Sequence, residues 1–69
     1  MDTTQFDKDV ETLYYALQAD SRLKDVPIQA GKAQPTSGEK SAYVIVVGGQ
    51  RFIVALYFNG QPYWTNRVL

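Results

Sequence analysis

Neither cysteine nor histidine occurs anywhere in the 69 residues. Without thiols no disulfide framework can form, and without thiols or imidazoles the Cys/His zinc sites of small metallo-domains are excluded. The same absence removes serine–histidine and cysteine–histidine catalysis, and with them an imidazole base titrating near neutral pH. Long apolar runs are also missing. The longest, Ala42 to Val47, is far too short to span a bilayer. The first residues, Met1-Asp2-Thr3-Thr4-Gln5, lack the basic and apolar regions of a secretory signal. The expectation is a cytoplasmic chain with no membrane role.

A chain this short holds one domain, residues 1–69, with a thin core. Small domains are commonly reinforced by disulfides, a metal or oligomerisation, and only oligomerisation or partner binding remains open here. Charge is balanced at 7 basic and 7 acidic residues, yet unevenly placed. Residues 1–25 carry three basic against six acidic side chains, a net −3. Residues 26–69 carry Lys32, Lys40, Arg51 and Arg67 against Glu39 alone, a net +3. So mild a basic excess suits neither bulk nucleic-acid binding nor a polybasic membrane patch.

The pattern of side chains predicts an α+β fold, an N-terminal amphipathic helix followed by a three- or four-stranded antiparallel β-meander. Phe6, Val10, Leu13 and Leu17 recur at i, i+4, i+7, i+11, the spacing of one helical stripe. The helix is expected over about 3–21, with Thr3 or Thr4 as its N-cap and Asp7 and Asp9 favourably placed near its positive end. Lys8, Glu11, Tyr15 and Gln18 fall on the opposite face. Pro27 biases Val26 toward extended geometry, so 26–31 reads as a possible edge strand. Residues 34–40, rich in proline, glycine and polar side chains, read as a loop.

Strands are expected at 41–47, 50–58 and 61–68, punctuated by Gly48-Gly49 and Asn59-Gly60. Both dipeptides suit two-residue type I′ hairpins, in which both central residues need positive φ. Such loops set the register. About Gly48-Gly49, Ile45 faces Phe52, Val44 faces Ile53 and Tyr43 faces Val54. About Asn59-Gly60, Leu56 faces Tyr63, Ala55 faces Trp64 and Arg67 faces Phe52. One face then carries Tyr43, Ile45, Phe52, Val54, Leu56 and Tyr63. The other carries Val44, Val46, Ile53, Ala55, Tyr57, Trp64 and Val68, with Arg51 and Asn66 among them. One helix covers one face, whereas an antiparallel sheet with a wet face ordinarily alternates apolar with polar residues. Both faces here are apolar.

Few side chains suggest chemistry. Asp7 and Glu11 form an i, i+4 carboxylate pair, read here as a solvated helix face. Asp20 and Asp25 flank the helix end, where solvation accounts for them better than a cation does. Gly31-Lys32 lacks the other residues of a phosphate loop and reads as a turn. No catalytic, cofactor-binding or metal-ligating residue is assigned, and no enzyme activity or cofactor is expected. The expected interaction residues are Val44, Val46, Arg51, Ile53, Tyr57 and Trp64 on the second sheet face, with Tyr15 on the outer side of the helix. Aromatic and arginine side chains dominate protein hot spots and also stack single-stranded bases. The low count of basic residues favours protein contact. The expected function is a small non-enzymatic interaction protein, regulatory, inhibitory or accessory, acting as a homodimer or on a larger protein. Nucleic-acid binding through Arg51, Tyr57, Trp64 and Arg67 is the alternative.

Overall fold

The computed structural model describes residues 3–60 and 67–68. Helix α1 spans Thr4–Ala19 and a single 3-10 turn follows at Ser21–Leu23. Four strands complete the fold: β1 (Ile28–Ala33), β2 (Glu39–Val47), β3 (Gln50–Tyr57) and β4 (Arg67–Val68). They form one antiparallel sheet in the order β1-β2-β3-β4, an α+β meander with α1 on one face. Among the described residues no helix is long and apolar enough to cross a membrane.

The apolar stripe builds the core. Phe6 and Val10 are buried against Ile45 and Val54, and Leu13, Leu17, Tyr43, Val47 and Leu56 pack around them. The face that carries Tyr43, Ile45, Val54 and Leu56 is therefore the one under the helix. Phe6 and Tyr43 meet ring to ring at 5.6 Å in a tilted arrangement, a geometry favoured by aromatic quadrupoles. Thr3 occupies the N-cap position without a side-chain cap bond; its hydroxyl donates instead to Asp7 Oδ2 at 3.2 Å. The helix stops at Asp20, whose backbone turns extended. The Asp20 carboxylate accepts the backbone N–H of Arg22 and so caps the 3-10 turn.

The Gly48-Gly49 turn is as expected. Both glycines take positive φ, +58 and +84, and Val47 pairs with Gln50. Ile45–Phe52, Val44–Ile53 and Tyr43–Val54 face each other as the loop length requires. Strand β2 starts earlier than 41, at Glu39, with an irregularity between Glu39 and Ser41 that breaks the simple register. A turn closes just before it: the Glu39 N–H donates to the Thr36 carbonyl and the Thr36 N–H to Glu39 Oε1, with Gly38 at φ +86.

Two expectations are corrected. Residues 31 and 32 do not turn; they lie inside β1, where Gly31 pairs with Val44 and Lys32 with Tyr43. The strand is displaced from 26–31 because Val26 is still bound to the preceding turn, its N–H donating to the Leu23 carbonyl. The second correction concerns β3 and β4. Phe52 pairs with Val68 and Ile53 with Arg67, so the register is one residue away from the one expected about Asn59-Gly60. Only Gly60 takes positive φ, at +78, and Asn59 does not, so the expected type I′ geometry is absent. A one-residue slip exchanges faces. Arg67 thus holds a register position on the second face and Val68 one on the helix face, the reverse of the expectation. Tyr63 and Trp64, the expected partners of Leu56 and Ala55, lie outside the described residues, as does Asn66.

Candidate interaction surface

The side of the sheet away from α1 is built by the even-numbered residues of β2 and the odd-numbered residues of β1 and β3. Its centre is a small cluster of Ala42, Ile53 and Ala55, all buried, with Ala33, Val44 and Tyr57 packed against it. Val46 continues the apolar strip opposite Arg51, which is exposed. Val44, Val46 and Tyr57 are half-buried. Of the seven residues expected to make contacts, five therefore share this face: Val44, Val46, Arg51, Ile53 and Tyr57. Trp64 lies outside the described residues. Tyr15 is 59% exposed on α1 and stands on the other side of the molecule, beside Tyr14 at a ring separation of 5.6 Å. It is no part of the same surface.

Ile53 is 7% exposed and offers less contact area than its neighbours. The accessible apolar surface is the Val44–Val46 strip and Tyr57, rimmed by Arg51 and by Gln29 of the neighbouring strand. A shallow hollow there is lined by Gln29, Ala30, Gly31, Val44 and Val46.

On the helix side, a cleft of about 290 Å³ opens where α1 leaves the β3 half of the sheet uncovered; Leu13, Leu17, Ile45, Val47, Phe52 and Val54 line it. Among the described residues its walls are apolar and hold no titratable side chain. Phe58, 68% exposed beside Gly60, is a second large apolar group in contact with water.

One polar cluster escaped the sequence pattern. Asp7, expected on a solvated helix face, instead reaches the sheet and accepts a hydrogen bond from the Tyr43 hydroxyl at 2.8 Å. The Lys32 ammonium lies 3.7 Å from the same carboxylate oxygen, 4.7 Å from the centre of the Tyr43 ring and 3.3 Å from Ser41 Oγ. The helix angle already put Asp7 next to the Phe6–Val10 stripe; what the pattern lacked was Lys32, whose place required β1 in the sheet. Burial raises the Tyr43 hydroxyl above its ordinary pKa, and donation to Asp7 adds to the rise. At the helix end, Arg22 binds Asp20 in a fork at 2.6–3.2 Å and holds its carboxyl down to about 2. Asp20 is thus committed to Arg22, and among the described residues no group of three or more acidic, histidine or cysteine side chains is placed to hold a metal ion.

No protein family, curated protein or solved structure matches this chain.

Proposed function

We propose that this chain is a small, non-enzymatic protein-interaction module, regulatory, inhibitory or accessory in role, that docks a second copy or a larger protein on the face of its sheet away from α1. One observation carries the reading: Val44 and Tyr57, which flank the buried Ala42, Ile53 and Ala55, and Val46 beyond them stay half-exposed on a face that the helix does not cover. Apolar side chains there gain about 25 cal/mol for each Å² removed from water, and the exposed Arg51 at the rim supplies polar specificity. Sedimentation of the wild-type chain and of Val46→Lys, alone and with captured host proteins, tests it. Association weakened by at least tenfold in Val46→Lys supports the reading; unchanged association of every kind removes it.

Nucleic-acid binding is the second reading, favoured by one specific feature. Arg67 pairs with Ile53, a register position on the side of the sheet that carries Arg51 and Tyr57. Quenching of the single tryptophan by a single-stranded oligonucleotide, weakening steeply with salt, is its expected signature. Absence of quenching at low salt eliminates it.

A further inference from the structure

We infer that the outer edge of β1 is a self-pairing edge, on which β1 of a second copy adds in antiparallel fashion to make one continuous sheet of two meanders. The inference is independent of the face described above and leaves that face free.

The argument begins with the backbone. The Gly48 N–H donates to the Pro27 carbonyl at 3.0 Å, and the pairing continues without a break from Ile28–Val47 to Ala33–Ala42. Antiparallel pairs alternate between hydrogen-bonded and non-hydrogen-bonded. Since Pro27–Gly48 is bonded, so are Gln29–Val46, Gly31–Val44 and Ala33–Ala42. The N–H and C=O groups of Ile28, Ala30 and Lys32 consequently aim away from β2. Among the described residues no strand lies on that side, because β1 ends the strand order.

Proteins ordinarily guard such an edge with a proline, a bulge, a charged side chain or a covering element. Among the described residues none of these closes the middle of the edge. Pro27 precedes the strand, and no bulge interrupts its pairing with β2. The one charged side chain, Lys32, has its ammonium drawn back over its own sheet toward Asp7, Tyr43 and Ser41. Ala30, on the helix side of β1, is exposed, so α1 does not overhang the middle of the edge.

The edge also complements itself. A two-fold axis through Ala30 sets Ala30 against Ala30, Ile28 against Lys32 and Gln29 against Gly31 of the second copy. The three outward residues become the three hydrogen-bonded pairs, and no like charges stand opposite each other. Being isologous, the contact closes at two copies and cannot propagate.

Residue-resolved amide exchange on the full chain tests this, with sedimentation run alongside. Between about 10 µM and about 1 mM protein, the amides of Ile28, Ala30 and Lys32 are expected to slow about tenfold or more as dimer forms. Ala30→Pro removes the central outward N–H while sparing every bond to β2, and is expected to sediment as monomer with an unchanged circular dichroism spectrum. Should that variant fail to fold, the wild-type exchange rates decide. A dimer whose three amides exchange freely overturns the edge inference, as does a monomer at every concentration. Protection that survives Val46→Lys supports the edge pairing and separates it from association through the face. Association lost in Val46→Lys, with the three amides unprotected throughout, leaves the face reading standing and the edge inference refuted.

Discussion

Tyr43 joins three interactions at one side chain: the ring packs on Phe6, its hydroxyl donates to Asp7, and Lys32 stands over its face. Tyr43→Phe keeps the ring and deletes the hydroxyl. It is expected to cost about 1 kcal/mol by urea denaturation, the usual worth of one partly buried hydrogen bond. The raised pKa of that hydroxyl makes the contribution pH-dependent, and the sign follows from linkage. The folded state holds the phenol proton more tightly, so the stabilisation is complete below the unfolded value of 10.0 and is lost as pH rises above it. Wild type should therefore lose stability as pH rises above 10.0 more steeply than Tyr43→Phe, as read by denaturation at each pH. Asp20 behaves in the opposite sense. Its carboxyl is held down to about 2 by hydrogen bonds from the Arg22 side chain and backbone. What it contributes is present above the ordinary 3.8 and disappears as pH falls through about 2. Carbon-detected titration of Asp20 should show a midpoint near 2 in wild type, moving up toward 3.8 in Arg22→Ala.

At the scale of elements, the two hairpin dipeptides look equivalent in the sequence and differ in the folded chain. Gly48-Gly49 needs left-handed backbone at both positions. An L side chain there costs about 1–2 kcal/mol per residue. Gly49→Ala should fall within that range, because a Cβ at 49 meets nothing within 4 Å. Gly48→Ala should cost more, since its Cβ would sit 3.2 Å from Val26 Cγ1; paired denaturation curves measure the difference. The Asn59-Gly60 turn has only one left-handed residue. β4 pairs one residue away from the expected register, which puts the Arg67 position on the Arg51 side of the sheet. Helix α1 is more predictable, because its stripe is its packing surface. Phe6 is 2% exposed, and Phe6→Ala should cost about 3–5 kcal/mol. For a domain of this size, with a total stability of roughly 3–10 kcal/mol, that is enough to abolish or sharply lower its cooperative thermal transition.

At the scale of the whole molecule, a thin core without disulfides leaves association as the natural source of further stability. If copies pair, the thermal midpoint must rise with protein concentration, since only the folded chain presents the joined surfaces. Calorimetry over a hundredfold concentration range should show that rise, and Ala30→Pro should flatten it. The sequence by itself determined the order of helix and strands, the stripe that faces the sheet, the register across Gly48-Gly49 and the apolar character of both sheet faces. Those features depend on local periodicity and on the positive φ that paired glycines supply, so near neighbours are sufficient to specify them. Tertiary structure alone decided which face α1 covers, that β1 runs from Ile28 to Ala33 at the sheet edge, that Asp7 meets Tyr43 and Lys32, and that Arg67 pairs with Ile53. Each of these joins residues far apart in the chain. Periodicity records which side of an element is apolar, whereas its partner is selected only when distant backbones compete for the same hydrogen bonds and the same buried area.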